Sequence, residues 1–313
     1  MTLTKLVEFR KQRELGQIIS DTFTFLRRNA KPLLSVLVRT CAIPFILLIV
    51  AVGFYTKATA GANFLTSFGD GSDMSTFFIS VVCLAIVGII YNSMLYGSVS
   101  EYIKAYIAGG NVPDPTTVVD TIKSKTGTFL GLGFTNLLII LVVALVPVGL
   151  GGAIFATGSE AIGVLVVILA IFPLIYVYVK LSVIFPTLIN KNLSIKEAIK
   201  ESSSLIKDEW WMTFITLIII GFLIGVIGFV FQVPVVIYTL IKTITSVQSG
   251  SMGDPTALFD NVYLVLQVLA SAMNYILYTI LAISTNFIYF NLNERKNQTG
   301  SLDQINNIGS NNA

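Results

Sequence analysis

The chain has 313 residues, of which 54% are hydrophobic and 12% are charged, and its formal net charge is +3. Soluble domains carry roughly a quarter charged residues, so the composition indicates an integral membrane protein, and the small net charge gives no indication of nucleic-acid binding. The lack of histidine excludes a Ser-His-Asp triad and every His-ligated metal site. The two cysteines, Cys41 and Cys83, lie in apolar runs and are expected to be small buried hydrophobes rather than a disulfide.

Residues 1–32 form a polar, basic segment that contains an amphipathic stretch. Leu15, Ile18, Thr22 and Phe25 recur at helical spacing, which predicts a helix with one apolar face. The segment lacks the apolar centre of a cleavable signal peptide, so we expect the first apolar run to direct membrane insertion itself.

Six apolar runs follow, each long enough for the roughly 20 helical residues that cross a bilayer. They predict an all-α polytopic bundle of six transmembrane helices over residues 33–290. The spans are placed near residues 33–54, 75–96, 129–153, 161–184, 211–238 and 258–290. Residues 291–313 are rich in Asn, Ser, Gly and Gln and are predicted to be a disordered tail.

Positive charge gathers on one side of the predicted bundle. All but three of the 20 lysines and arginines lie in the N-terminal segment, the connections after spans two and four, the end of span four, or the tail. The exceptions are Arg39, Lys57 and Lys242. Because positive loops are retained in the cytoplasm, both termini are predicted to be cytoplasmic, in a multi-pass protein of a bacterial inner membrane.

The stretch Ser194–Phe214 predicts a second amphipathic helix that leads into span five. Ser194 and Glu197 have the spacing of a capping box at its start. Trp210 and Trp211 follow where the chain crosses the water–lipid boundary, which is typical of interfacial anchors.

The same pattern occurs near residue 14 and, more weakly, near residue 114. The chain therefore reads as three pseudo-repeats, each an interfacial amphipathic helix followed by a transmembrane hairpin. The basic amphipathic stretches either bind anionic lipids at the cytoplasmic face or only frame the bundle.

Three charged residues, Arg39, Glu101 and Lys180, lie near the cytoplasmic ends of spans one, two and four. One hypothesis makes them a polar cluster at the floor of a binding cavity, with Glu101 neutralising Arg39 or Lys180. The other has each long side chain reaching the headgroups separately. Their position near the interface favours the second.

Prolines and amides interrupt the apolar spans. A proline removes a backbone donor, which fits either the broken helices of a transporter site or kinks that only shape packing. The prolines are Pro44, Pro147, Pro173, Pro186 and Pro234. The amides, which can bond across helices, are Asn92, Asn136, Gln232, Gln267, Asn274 and Asn286.

The sequence contains no hydrolase, kinase or metalloprotease motif, and no paired carboxylates within a span. We therefore expect no catalytic residue, no metal and no cofactor. Asp260, at the outer edge of span six, is expected to start a helix.

Several short motifs resemble those of a known family. The segment Arg13–Asn29 is similar to the N-terminal signature of an uncharacterised bacterial six-span family related to the glycerophosphoryl diester phosphodiesterase membrane domain. The segments Lys180–Trp211 and Tyr289–Lys296 resemble that family's connection between spans four and five and its last span. The resemblance implies the six-helix membrane module. It does not imply the hydrolase chemistry, which belongs to an attached soluble barrel domain, and it carries over no functional residue.

These patterns predict a non-enzymatic membrane protein. The first hypothesis is a scaffold or accessory subunit in lipid or envelope handling, tightly packed between its spans and bound to a membrane-protein partner. The alternative is a small permease or lipid transporter, with a cavity among the proline-kinked spans lined by Arg39, Glu101, Lys180 or the amides within the spans.

Overall fold

The computed structural model describes residues 7–59, 74–248 and 259–298. Within these ranges every regular element is an α-helix, and six helical stretches are long and apolar enough to cross a membrane. The predicted all-α class with six such helices is therefore confirmed. The tail was predicted to be disordered from residue 291, which is wrong for residues 291–297, because the last helix continues to Asn297 and buries Asn291 to Glu294. The rest of the predicted tail, after residue 298, lies outside the described residues.

The described ranges contain nine helices. Spans one to three are single helices, α1 (Leu15–Thr59), α2 (Met74–Gly109) and α3 (Pro115–Ala156). Span four consists of three short helices in succession, α4 (Glu160–Leu169), α5 (Ile171–Leu181) and α6 (Ile184–Lys191). A short helix α7 (Ile195–Ile206) then precedes spans five and six, which are α8 (Trp210–Gln248) and α9 (Asn261–Asn297).

The longest helices exceed the thickness of a membrane. Helix α1 has 45 residues, which at about 1.5 Å per residue makes roughly 68 Å, against a hydrocarbon core of about 30 Å. The first amphipathic stretch thus continues into span one without a break, and the stretch at Pro115 continues into span three in the same way. Of the three stretches, only the last forms a helix of its own, α7. The threefold repeat itself stays a prediction.

Helix α7 begins as its sequence predicts. The Ser194 hydroxyl accepts a hydrogen bond from the Glu197 amide, and the Glu197 carboxylate accepts one from the Ser194 amide at 2.9 Å. Ser202 lies on the buried apolar face and donates to the carbonyl of Lys180 at 2.7 Å. This bond fixes α7 beneath the end of α5.

The two ends of the described chain meet on one side of the bundle, which we call the terminal face. The Arg13 amide donates to the Asn291 side chain at 2.7 Å, and the Lys296 ammonium donates to the Ser204 hydroxyl at 2.7 Å. The start of α1, the end of α9 and helix α7 therefore share this face. An even number of crossings requires the same arrangement.

Residues 7–13 fold back into the terminal face instead of extending into solvent. The Phe9 side chain is 2% exposed and stacks on Phe287, with 4.4 Å between ring centroids. The Val7 amide donates to the Tyr106 hydroxyl at 2.9 Å. The basic N-terminal segment thus contains an apolar closure, formed by Val7 and Phe9, that its overall charge concealed.

Buried polar side chains beneath this closure bond between helices, although the Asn286 side-chain oxygen itself has no partner among the described residues. The Tyr102 hydroxyl donates to the Asn29 side chain at 3.1 Å, and the Asn286 amide donates to the Ser100 hydroxyl at 3.0 Å. These bonds join α2 to α1 and to α9. The well-packed core therefore lies towards the terminal face.

The C-terminal half of α3 and helix α4 form a hairpin whose two arms pack mainly on each other. A Cβ atom added to Gly163 would lie 2.6 Å from the Gly151 carbonyl oxygen, so the two backbones touch. The outward faces of the hairpin remain exposed, for example Leu145 at 61% and Leu165 at 53%. The hairpin thus lies at the edge of the bundle and is not part of its core.

The two cysteines differ in environment. Cys41 is buried and lies within hydrogen-bond reach of Ser98, whereas Cys83 is exposed on α2. Both are free thiols, as expected, but the expectation that Cys83 is buried was wrong, because no helix among the described residues packs over its side of α2.

Candidate functional site

A partly open cavity of about 520 Å³ lies between α2, α3, α9 and the junction of α5 with α6. Ligand pockets in proteins commonly measure 300–1,000 Å³, so this space is large enough for a small ligand. Tyr178, which is 50% exposed, stands at its rim. The apolar area of the lining exceeds the polar area, as in most small-molecule sites.

The polar side chains of the lining are concentrated towards the terminal face. Helix α2 supplies Asn92, Ser93 and Tyr96, which follow one another in that direction. Helix α3 supplies Asn136, and the α5–α6 junction supplies Ser182. One end of the cavity therefore offers amides and hydroxyls.

The other end is lined by apolar groups. Helix α2 contributes Ala85 and Ile89, and α3 contributes Leu137 and Ile140. From Ala85 to Tyr96 the helix rises by roughly 16 Å at about 1.5 Å per residue. The cavity is thus an amphiphilic channel, polar near the terminal face and apolar towards the centre of the bundle.

Two polar atoms of this lining have no hydrogen-bond partner. They are the Asn136 side-chain oxygen and the Ser182 hydroxyl, and both atoms are shielded from solvent. By contrast, the Asn92 side-chain amide donates to the Gly88 carbonyl at 2.8 Å. Buried polar atoms are nearly always paired, so the two orphans mark positions where a ligand can form hydrogen bonds.

The Ser182 position results from a break in span four. Helix α5 ends at Leu181 and α6 begins at Ile184, with Pro186 in the first turn of α6. A proline has no N–H to donate to the carbonyl four residues earlier, which here belongs to Ser182. Irregular backbone at membrane depth is tolerated where it lines a cavity, and this break lines one.

The described lining contains no aspartate, glutamate, lysine or arginine. Searched over the described residues, the chain also shows no group of three or more potential metal ligands. The described lining therefore offers neutral hydrogen-bonding groups and apolar contacts.

The hypothesis of a polar cluster of Arg39, Glu101 and Lys180 was wrong about the partner of Glu101. The Glu101 carboxylate is buried and pairs with the Lys125 ammonium at 2.6 Å. The start of α3 packs along α2 and brings Lys125, rather than either predicted cation, to that carboxylate.

The two predicted cations make separate contacts. The Arg39 guanidinium donates to the Thr116 hydroxyl at 3.4 Å, and the Lys180 ammonium lies 5.0 Å from the centre of the Tyr176 ring. Neither Arg39 nor Lys180 lines the cavity. The amides Asn92 and Asn136, which the alternative hypothesis also named, do line it.

The two tryptophans of the predicted interfacial pair differ in their contacts. Trp211 is 70% exposed, whereas Trp210 stacks on Phe214 and its indole N–H donates to the Tyr176 carbonyl at 3.4 Å. Trp210 therefore joins α8 to α5, and Trp211 alone projects from the surface.

At the opposite face, Asp260 starts α9, as expected. Its carboxylate accepts from the Val262 and Tyr263 amides and pairs with the Lys242 ammonium at 2.8 Å. The Tyr238 hydroxyl also donates to it at 2.5 Å. Hydrogen bonds from Lys242 first and Tyr238 second lower the pKa of Asp260, so the carboxylate stays ionised and ties α8 to α9.

At the terminal face, the Arg13 guanidinium is buried beside the Phe9 carbonyl, to which it donates at 2.7 Å. Burial lowers the pKa of Arg13, and its ion pair with Asp21 at 2.9 Å acts in the opposite direction. Arg13 thus holds the N-terminal closure in place and takes no part in the cavity.

Compared with protein families, curated proteins and solved structures, the chain gives no match. The resemblance to a six-span bacterial family therefore stays a prediction, and the site is argued from its own geometry.

Proposed function

We propose that the protein binds a membrane amphiphile within its bundle and acts as a small permease or lipid transporter of a bacterial inner membrane. The single observation that carries this proposal is the amphiphilic cavity, whose polar end holds two unpaired hydrogen-bonding atoms.

The depth of the cavity favours a ligand that comes from the bilayer. Its lining falls within residues 85–96, 133–140, 178–185 and 278–285, almost entirely inside the predicted spans. An opening at that depth meets lipid chains rather than water. The broken fourth span supports the same proposal, since discontinuous helices are a common element of transporter sites.

The cavity also bears on the choice between the two sequence-based hypotheses. A scaffold needs tight packing between its spans, whereas a transporter needs a cavity lined by amides within the spans. The presence of Asn92 and Asn136 in the lining favours the transporter. A stoichiometric membrane-protein partner would be the corresponding support for the scaffold.

The proposed orientation places the terminal face in the cytoplasm. This proposal rests on the concentration of lysine and arginine there. Lys196, Lys200 and Lys207 are exposed on or beside α7, where they can contact anionic lipid headgroups. The polar end of the cavity then lies at the level of the inner leaflet.

Filling the cavity tests the proposal. Gly88 lines it, and a Cβ atom added there meets nothing within 4 Å, so Gly88→Leu inserts a side chain without a backbone clash. Gly221→Leu is the matched control, because Gly221 is exposed on α8 and its Cβ position is equally open. The measurement is native mass spectrometry of the full chain released from lipid nanodiscs.

We expect wild type and Gly221→Leu to retain the same bound lipid and Gly88→Leu to lose it. Equal lipid retention in all three proteins would contradict the proposal. A protein partner that remains bound to all three proteins, with no lipid retained by any, would favour the scaffold instead.

A further inference from the structure

Charged side chains on the segments that flank the polar end of the cavity contact other groups. The Lys180 ammonium, two residues from Ser182, lies 5.0 Å from the centre of the Tyr176 ring. Glu101 pairs with Lys125 at 2.6 Å, and the Lys104 ammonium donates to the Ile189 carbonyl and to the Asn192 side chain, each at 2.7 Å. No described side chain of the lining is charged. A ligand with an ionised headgroup would therefore be desolvated without a counter-charge, which is costly in an apolar environment.

The two orphan atoms specify what the headgroup must supply. The Asn136 side-chain oxygen can only accept, so it requires a donor from the ligand. The Ser182 hydroxyl can donate or accept. The lining also contains the side-chain amides of Asn92 and Asn136 and the hydroxyls of Ser93 and Tyr96, so the polar end offers both donors and acceptors, all of them neutral.

This inventory separates classes of lipid headgroup. An ionised carboxylate or phosphodiester brings a negative charge that no described side chain of the lining balances, and it donates no hydrogen bond to the Asn136 oxygen. An ammonium donates, but its positive charge is equally unbalanced. A hydroxyl group donates and accepts and carries no charge, so a headgroup with free hydroxyls can pair with Asn136 and with Ser182.

We infer that the ligand is an uncharged lipid whose headgroup carries free hydroxyls, held with the headgroup at Asn136 and Ser182 and the chain along Ile89 and Ile140. This inference rests on the proposed function. The polar end faces the terminal side, so the lipid enters from the leaflet on that side and its chain points to the middle of the bilayer.

The test uses the full chain in phosphatidylcholine nanodiscs and a monoacylglycerol with a photoactivatable diazirine in its acyl chain. After illumination, labelled peptides are located by mass spectrometry. Unlabelled monoacylglycerol and the fatty acid of the same chain then compete with the probe. We expect labelling of α2 and α3 around Ile89 and Ile140, and competition by monoacylglycerol at about tenfold lower concentration than by the fatty acid.

Variants separate binding from folding. Asn136→Leu and Ser182→Ala are each expected to lower labelling by about three- to tenfold, as expected for the loss of one hydrogen bond. Thr213→Val is the matched control, because the Thr213 hydroxyl is also buried and unpaired but does not line the cavity. Thermal unfolding in the same nanodiscs checks folding. Asn136→Leu should be at least as stable as wild type, since it removes an unpaired buried oxygen.

Three outcomes would decide against the inference. If the fatty acid competes as well as the monoacylglycerol, the headgroup class is wrong while the binding cavity stands. If Thr213→Val lowers labelling as much as Ser182→Ala, the orphan hydroxyl in the cavity is not a binding group. If no peptide of the cavity is labelled and Gly88→Leu labels like wild type, the proposed function fails and the inference fails with it.

Discussion

Among the described residues, Lys125 is the ion-pair partner of the Glu101 carboxylate. Glu101 is 4% exposed. The Lys125 side chain extends from the neighbouring helix α3, and its ammonium lies 2.6 Å from the Glu101 carboxylate. Removing one member of a buried ion pair is more damaging than removing both, because the remaining charge is left without compensation. Lys125 is 34% exposed at its side chain, so water attenuates part of this effect.

We predict that Lys125→Ala lowers the free energy of unfolding by about 2 kcal/mol, below the 3–5 kcal/mol of fully buried pairs. Arg39→Ala and Lys180→Ala serve as controls and should each cost less than about 1 kcal/mol. Denaturant unfolding in detergent micelles measures all three. A loss in Arg39→Ala or Lys180→Ala equal to that in Lys125→Ala would restore the predicted cluster.

Sequence could identify Glu101 as unusual but not name its partner. A carboxylate at the end of an apolar run is visible in the sequence, yet which cation meets it depends on how α3 packs along α2. Lys125 lies 24 residues further on, beyond the turn between the two helices. The same reasoning applies to Asn136. The sequence shows an amide within a span, but it does not show that the Asn136 oxygen lacks a partner or that it lines the same cavity as Ser182.

Helix α7 is stabilised at its start by a carboxylate. Hydrogen bonds from the Ser194 backbone amide first and the Ser194 hydroxyl second lower the pKa of Glu197. A lowered pKa in the folded state means that the ionised carboxylate stabilises the cap. This stabilisation is fully present above the ordinary glutamate pKa of about 4.3 and is lost as the pH falls through the lowered value.

We predict that the first turn of α7 loses protection from hydrogen exchange on acidification. Peptides that contain residues 194–198 should exchange faster below about pH 4 than at neutral pH, after correction for the intrinsic rate. Glu197→Gln, which cannot ionise, should show no such change. If wild type and Glu197→Gln respond to pH alike, the carboxylate does not stabilise the cap.

The hairpin of α3 and α4 depends on two glycines. A Cβ atom on Gly163 would lie 2.6 Å from the Gly151 carbonyl and 2.9 Å from the Phe155 amide nitrogen, and backbone atoms cannot yield as a flexible side chain can. Gly152, one residue from Gly151, has nothing within 4 Å of its Cβ position. The two neighbouring faces of α3 therefore differ sharply in whether they tolerate a larger side chain than glycine.

We predict that Gly163→Ala lowers the free energy of unfolding by about 1–3 kcal/mol, because the added methyl group overpacks the contact between the two backbones. Gly152→Ala should be neutral or stabilising, because alanine favours a helix over glycine by about 1 kcal/mol. Thermal unfolding in micelles compares the two. Similar losses of stability in both variants would mean that helix propensity or lipid contact, and not the close approach within the hairpin, causes the effect.

Hydropathy alone predicts helices such as α8 and α9, because an uninterrupted apolar run of that length has no other fold in a bilayer. It does not predict the break at Ser182. A proline such as Pro186 is compatible with a kink in one helix and with the start of a new helix, and the sequence does not distinguish the two. In the structure a new helix starts, and Ser202 of α7 bonds the Lys180 carbonyl just before the break. The cavity depends on that break. From the sequence it could therefore be predicted only as an alternative hypothesis.

The bundle is tightly closed at the terminal face. At the terminal face Phe9 contacts Phe25, Tyr106, Phe287 and Phe290. Deleting a ring from such a site removes apolar contacts and leaves a cavity, and both effects destabilise the folded state. On the outward surface of the spans, large apolar side chains such as Phe222, 67% exposed, contact the surroundings of the bundle.

We predict that Phe9→Ala lowers the free energy of unfolding by about 3 kcal/mol. Phe222→Ala, the matched control, should change it by less than about 1 kcal/mol, because lipid or detergent replaces the lost ring contacts. Unfolding in micelles monitored by circular dichroism measures both. Equal effects would mean that the N-terminal segment does not close the bundle.

The contact of Arg13 with Asn291 sets an order of events during synthesis. The two residues are 278 positions apart, and at about 5–20 residues per second a ribosome needs some tens of seconds to travel that distance. The guanidinium can pair with Asp21 and the Phe9 carbonyl at once, but the Arg13 backbone amide lacks Asn291, and Phe9 lacks Phe287, until α9 has been inserted. The N-terminal closure therefore completes its folding last, so a chain that stalls before span six exposes an incompletely covered apolar ring to the quality-control proteases of the membrane.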